Sequence, residues 1–402
     1  MQVIYILTKL LLFIFSLQYF LIIYASQNEP LAKLWNINDD EILKYLEIEK
    51  RLTTADEILK QLLNDSNFSG TYINITMNLI FINTLNFSAA DEIKNSPEMA
   101  PYKDLLSFKE SRNSLAKLKH SFLWITKIAN YHKPVNIVAI FLDMKLNNVV
   151  ITLHHKYDRT NTVFLMSIKK YHPILEYSGS SNSANSNIIG PKSKYNVRTN
   201  DIHILAGDGL YNYAVYVTCS AGFWAKDNVN IVYIVTAGHC FSPGNYFLQP
   251  WNATVTNYII GPMTNHKIGP LDFGLIHIVN KTIVPRPFIR NSNSKQNVEL
   301  FIRDDIAVSS HGAHICKSGR TTHVTCGNVR AFGGMIIIKR YIMTVSDTPS
   351  MAGDSGGPAF SYKDLQYVSL FGISSSKAAK EITLFQPLND ILTTANIKLV
   401  VA

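Results

Sequence analysis

Gly353-Asp354-Ser355-Gly356-Gly357-Pro358 is the stretch on which the reading of this 402-residue chain turns. A serine hydroxyl is a poor nucleophile unless a base takes its proton and donors stabilise the oxyanion that follows. Glycines around the serine let the backbone turn so that the Gly353 and Ser355 N–H groups can converge on one point. A bare glycine-rich turn would be ordinary loop chemistry, but the full hexapeptide is far more specific. A base stands upstream in Val235-Thr236-Ala237-Gly238-His239-Cys240, after the apolar run Ile231–Val235. A lone histidine near a strand end is usually structural; one framed by Thr-Ala-Gly and Cys, in a chain that also carries the hexapeptide, is the candidate base. Between them lies Leu271-Asp272-Phe273-Gly274-Leu275-Ile276. A carboxylate opening a β-run could cap a turn, but its place after the histidine and before the serine makes Asp272 the candidate orienting acid. Its task would be to hold the imidazole tautomer and stabilise the imidazolium, not to take the proton. Asp354, beside the nucleophile, is not that acid.

The rest of the chain bounds this chemistry. Its length suits two domains, and 47% hydrophobic with 17% charged residues is the composition of a globular protein rather than a disordered one. Net charge is +9, yet the basic residues are scattered, with neither the patch nor the reader motif of a nucleic-acid binder. Lys9 followed by the apolar run Leu10–Ile23, with Ala25 and Ser26 as a cleavage point, reads as an export signal over residues 1–25. An uncleaved anchor is the rival, since Val3–Ile23 is nearly long enough to span a bilayer. Cleavage is favoured because no stop-transfer flank follows. Sequons at Asn64, Asn67, Asn74, Asn86, Asn252 and Asn280 fit a glycosylating export route. All four cysteines lie in the C-terminal half; they allow three pairings, and in an exported chain disulfides are the favoured reading. No Cys-x-x-Cys spacing suggests zinc, and no metal or cofactor is implied.

Residues 26–177 read as an α+β block without a catalytic motif. Asn38–Leu63 carries apolar residues at helical spacing behind an Asn/Asp start, and Pro101–Asn130 is expected to be helical too. Val135–Phe141, Val149–His155 and Val163–Ile168 are expected as short strands, and His154-His155 as strand surface rather than a metal site. Ser178–Asn187 (SGSSNSANSN) is small and polar, so 178–201 is read as a linker and processing segment. From Ile202 onward short apolar runs alternate with Gly, Pro and Asn turns, and helical periodicity is absent until Asn389–Asn396. That texture suits an all-β barrel or sandwich over 202–402.

At these residues the chain resembles the chymotrypsin-like serine peptidases, and most of all the α-lytic protease/streptogrisin subfamily. The resemblance rests on Ala206–Tyr211, on Cys219–Phe223 with His239-Cys240, on Ile315–Thr322 with Cys326-Gly327, on Phe371–Ile373 and on Phe385–Leu388. It covers about residues 202–398, half the chain. It implies two six-stranded antiparallel β-barrels, with His239 and Asp272 from the first and Ser355 from the second. It also implies an oxyanion hole from Gly353 and Ser355, and the disulfides Cys219–Cys240 and Cys316–Cys326. The upstream block occupies the place of that subfamily's pro-region, a folding catalyst and inhibitor of the mature enzyme, with Val135–Ile168 as the part that docks. No Arg-Ile-Val-Gly-Gly activation site is present. Lys317 holds the position where relatives use an internal basic residue, so an ion pair to Asp354 is expected.

Departures concern the substrate pocket. Pro349 stands where one partner of a third disulfide would be, and no cysteine stands in Ser376–Lys380. The wall segment, Ser-Gly-Gly in relatives, aligns as Ser375-Ser376-Lys377, and side chains where glycines normally sit narrow the pocket or put a charge in it. A non-catalytic homologue would have lost a triad residue, and none is lost. A lipase or esterase would want its acid and histidine after the serine, and here both precede it. The resulting expectation is a secreted, monomeric serine endopeptidase acting on proteins or peptides, with its own pro-region as partner, no nucleic acid, and no membrane span once the signal is removed.

Overall fold

The computed structural model describes residues 29–135, 139–177, 202–336, 341–379 and 382–402. The expected export signal and the 178–201 linker lie outside the described residues, and so do parts of the Val135–Phe141 run and of the Ser376–Lys380 loop. No helix among the described residues is long and apolar enough to cross a membrane.

The upstream block opens with α1 (Pro30–Trp35), a 3-10 turn at Asp39–Glu41 and α2 (Ile42–Leu62). The start of this helical segment is fixed by a reciprocal cap, in which the Asn38 N–H donates to Glu41 Oε2 at 3.1 Å. One face of α2 buries Ile42, Leu46, Leu52, Ala55 and Leu59. Then follow β1 (Phe68–Asn74), β2 (Leu79–Thr84), α3 (Phe87–Lys94), β3 (Leu106–Glu110) and α4 (Leu115–His132). The helix expected over Pro101–Asn130 is therefore divided. Its first part is a 3-10 segment around Pro101, which cannot donate an N–H to a helix; Leu106–Glu110 pairs in parallel with β2; and α4 starts only at the Ser114 cap. β4 (Ala139–Asp143), β5 (Asn148–Leu153), α5 (Thr162–Ile168) and β6 (Ile174–Tyr177) complete the block. Val163–Ile168 is a helix, not the expected strand. Phe164 and Ile168 fall one turn apart on a single buried face, a spacing that the mostly apolar run Val163–Ile168 conceals. His154 follows β5, and His155 opens a 3-10 turn rather than lying in a strand.

The C-terminal half is β-structure with one short helix. Its strands are β7 (Ile202–Ala206), β8 (Gly209–Asn212), β9 (Val217–Ser220), β10 (Phe223–Asp227), β11 (Val232–Thr236), β12 (Asn245–Gln249), β13 (Ile259–Ile268) and β14 (Asp272–His277) in the first part. The second part has β15 (Ile283–Arg290), β16 (Glu299–Asp304), β17 (His314–Gly319), β18 (His323–Ile336), β19 (Tyr341–Ser346), β20 (Pro358–Tyr362), β21 (Tyr367–Ala379) and β22 (Ile382–Pro387), then α6 (Leu388–Ala395) and β23 (Ile397–Leu399).

Pairing in the first part runs β10-β11-β14-β13-β12-β8-β9. Only Ala221-Gly222 separates β9 from β10, so one bent stretch of chain supplies both ends of this path and brings it round on itself. Glycine is required at the bend, because a Cβ on Gly222 would lie 2.6 Å from the Gly356 carbonyl and 2.7 Å from that of Val235. Trp224, Tyr246, Leu248 and Ile276 fill the interior. In the second part β17 pairs β18, β18 pairs β19, β19 pairs β22, β22 pairs β21, β21 pairs β20 and β20 pairs β17, all antiparallel, a closed circuit of six. The far end of β18 also pairs with β4 at Met335↔Ile140, so the β4-β5-β6 sheet of the upstream block continues that of the C-terminal half.

Candidate active site

The site lies where the two parts meet. His239 sits in a single 3-10 turn, Gly238–Cys240, directly after β11. The turn lies so close to β13 that a Cβ on Gly238 would stand 1.9 Å from the Lys267 carbonyl oxygen, which explains the glycine before the histidine. The Cys219–Cys240 disulfide ties the turn to β9, and the Tyr246 hydroxyl donates to the Cys240 carbonyl at 2.6 Å.

Asp272 opens β14 and grips His239 twice. Its Oδ1 accepts the His239 backbone N–H at 2.9 Å, and its Oδ2 lies 2.7 Å from His239 Nδ1. That contact assigns the proton to Nδ1 and leaves Nε2 as the basic atom. The carboxylate is 1% exposed, whereas the imidazole is 29% exposed. Burial works against the charge on Asp272, but hydrogen bonds from His239 and Ser375 outweigh it and hold the pKa below the ordinary carboxylate value. The second part of the half supplies two of these restraints. The Ser375 hydroxyl on β21 donates to Asp272 Oδ2, and Gln386 Oε1 on β22 accepts the Asp272 backbone N–H at 3.2 Å.

Ser355 follows a tightly held turn. Gly353 and Gly356 have φ of +98° and +85°, a region that disfavours any side chain. A Cβ on Gly356 would meet Thr236 Oγ1 at 1.9 Å and the Ala237 nitrogen at 2.7 Å, so the serine loop is packed against the strand that delivers His239. Ser220 joins the two segments. Its N–H donates to the Ser355 carbonyl at 2.8 Å, its hydroxyl donates to the Gly353 carbonyl at 2.8 Å, and its carbonyl accepts the Thr236 hydroxyl at 2.8 Å. The N–H groups of Asp354, Gly356 and Gly357 donate to the carbonyls of Met351, Ser374 and Asp354. Among the described residues those of Gly353 and Ser355 donate to no protein group, as two amides reserved for a ligand oxygen would. Among the described hydrogen bonds none joins Ser355 to His239.

Lys317 Nζ lies 3.2 Å from Asp354 Oδ2, with both side chains fully buried. Asp354 further accepts the N–H groups of Thr321 and Thr322 on Oδ1, at 2.9 and 3.0 Å, and those of Met351 and the Thr322 hydroxyl on Oδ2, at 2.9 and 2.6 Å. Burial raises the Asp354 pKa, but the Lys317 charge and these donors leave it below the usual range; burial also lowers that of Lys317. Cys316 and Cys326 are bonded to each other across β17 and β18. Ser375, read as a wall residue, is 1% exposed, and its hydroxyl donates to Asp272. Ser376 is half-buried; Lys377 pairs with Thr383 through its strand, and its side chain lies outside the described residues. Sequence reasoning missed Ser220, Thr322 and Gln386. No spacing marks them, because their partners come from more than thirty residues away.

No protein-family model matches the chain. Streptogrisin-C of Streptomyces griseus is 26% identical over 222 residues, 52% of this chain and 42% of that protein. Over about half its length the chain is similar to this streptogrisin. The chain spans about two fifths of the length of that curated relative. Among solved structures, Thermobifida fusca Protease A is 22% identical, covers 50% of this chain and all of its own, and superposes with a TM-score of 0.41. Nocardiopsis protease is 20% identical, covers 49% of this chain and 99% of its own, also at 0.41.

Proposed function

We propose that this chain is the precursor of a secreted serine endopeptidase that cuts proteins or peptides through an acyl-enzyme formed on Ser355. The observation that carries the reading is the buried Asp272 carboxylate holding both the backbone and Nδ1 of His239 beside the Ser355 loop. On this reading His239 Nε2 takes the Ser355 proton as the hydroxyl attacks the scissile carbonyl. The Gly353 and Ser355 N–H groups receive the oxyanion, and His239 returns the proton to the leaving amine. Free catalytic sites often hold the serine–histidine contact loosely until substrate closes it. The two strand circuits are read as the two six-stranded barrels of a chymotrypsin-like fold. Lys317, inserted beneath Asp354, stands in for the newly cut terminus that other zymogens use, so the oxyanion turn forms without one.

Residues 26–177 are read as the pro-region, 178–201 as the segment cut to free it, and 1–25 as the export signal; the mature enzyme is a monomer that needs no cofactor. Ser376 and Lys377, where open walls carry glycine, leave a narrowed apolar slot for the residue before the cut. The test is hydrolysis of fluorogenic peptides by the purified matured protein. Ser355→Ala should reduce kcat by about four orders of magnitude or more with the fold unchanged. Retained turnover in that variant would refute the assignment.

A further inference from the structure

Sheet pairing through β4 is one contact between the upstream block and the C-terminal half. A second is built differently. The loop before β17, Val308–His314, is met by one face of α2 and the end of β1. Lys60 Nζ donates to the Ser309 carbonyl at 2.9 Å, and the Ser309 hydroxyl donates to Glu57 Oε1 at 2.7 Å. The Ser310 hydroxyl donates to Asp56 Oδ2 at 2.6 Å, and the His314 N–H donates to Glu49 Oε1 at 2.7 Å. The Ile73 N–H donates to the His311 carbonyl at 2.8 Å, and Gly312, at φ +85°, approaches so closely that a Cβ there would lie 2.1 Å from the Ile73 carbonyl. These polar contacts of one loop lie beside the apolar packing of Trp35, Leu46 and Leu52 against Cys316, Phe360 and Tyr362.

His311 lies within it. Its Nδ1 is sealed from solvent and has no hydrogen-bond partner among the described residues, while its ring faces the Thr71 backbone. α2 presents Asp56 and Lys60 to it, β4 presents Asp143, and β18 presents the Phe332 ring at 5.1 Å. The charges on the adjoining cavity of about 460 Å³ are Lys145, Glu176, Asp347 and Arg330, the last already paired with Asp143 and Glu176. Neighbouring His314 faces Glu49 with Nδ1 and accepts the Tyr362 N–H on Nε2 at 2.8 Å. That second bond lies within the C-terminal half.

We propose that Val308–His314 is the surface on which the upstream block is held, and that proton uptake by His311 loosens that hold in acid. Burial, and after it the Lys60 charge, lowers the docked His311 pKa from 6.5 to about 4, against the pull of Asp56, Asp143 and the Thr71 backbone. Separation removes Lys60 and returns water, restoring the ordinary value. The separated state therefore binds the extra proton between these two values. Docking is at full strength above 6.5 and weakens as pH falls toward 4, by roughly 30-fold between pH 7.5 and pH 5.

The full chain carrying Ser355→Ala tests this independently of the peptidase reading, since it has no hydrolysis to lose. Hydrogen exchange of the 42–62 amides, corrected for the intrinsic rate, should report an opening constant that rises about 30-fold from pH 7.5 to pH 5. Adding His311→Asn or His311→Phe should remove that rise. An equal rise with and without His311, or none in either chain, would overturn the proposal. If neither variant folds, a histidine NMR titration of the Ser355→Ala chain decides: His311 titrating near 4 supports the proposal, and near 6.5 refutes it.

Discussion

Ser375 and Gln386 show how much of a charge-handling site is held by residues with no charge of their own. Asp272 is buried, and isolation there would push it toward the neutral acid. It stays ionised because His239 and Ser375 spend their donors on it, and Gln386 fixes the peptide from which it hangs. Its folded pKa lies below the ordinary value, so its stabilising contribution is present above about pH 4 and fades as pH falls through the folded value. Asp272→Asn should accordingly flatten the acid limb of a urea-unfolding series, besides lowering kcat by about 10⁴-fold through the wrong imidazole tautomer. Lys317 and Asp354 give a second test at this scale. Removing one partner of a buried pair strands the other, at a cost of about 3–5 kcal/mol. Lys317→Met should cost that much in urea unfolding, and Lys317→Met with Asp354→Asn, which removes the charge but keeps an acceptor for the Thr321 and Thr322 N–H groups, should recover part of it.

The His239–Asp272 contact and the Lys317–Asp354 pair were legible because they sit in short, ordered motifs with fixed neighbours. Ser375 was legible as a wall residue but its bond to Asp272 was not, since a position in a wall segment says nothing of where the hydroxyl points. Gln386 and Ser220 were invisible, because each acts across a gap that only the fold closes.

At the scale of elements, the two disulfides each pin a strand to what it must hold. Cys219–Cys240 closes a span of 21 residues between β9 and the His239 turn. Replacing both cysteines by serine should cost about 3 kcal/mol in urea unfolding. Gly238 makes a sharper local test. A methyl group at 1.9 Å from the Lys267 carbonyl forces the turn away from β13, so Gly238→Ala should lower kcat with the far-ultraviolet dichroism intact. The element readings failed where local pattern is ambiguous. Val163–Ile168 is apolar except for Ser167, too short for either period to stand out, and a helix forms because Phe164 and Ile168 share a buried face. Leu106–Glu110 sits in a stretch read as helix and becomes a strand because β2 offers a partner that sequence alone does not place beside it.

For the whole molecule, the upstream block and the C-terminal half share one core as well as one sheet. Trp35, Leu46 and Leu52 cluster with Cys316, Phe360 and Tyr362. On the proposed reading, a block bound this way would order the second part of the C-terminal half, the part that carries Ser355, before processing. The acid-sensitive contact at His311 then gives such a precursor a condition under which the block lets go. All of this depends on Ser355 being an activated nucleophile, and that can be measured directly. The matured protein is incubated with a fluorophosphonate and mapped by peptide mass spectrometry, alongside His239→Ala. The account expects a single phosphonyl adduct on Ser355, lost when His239 is removed. An unmodified Ser355, or an adduct formed equally well without His239, would contradict it.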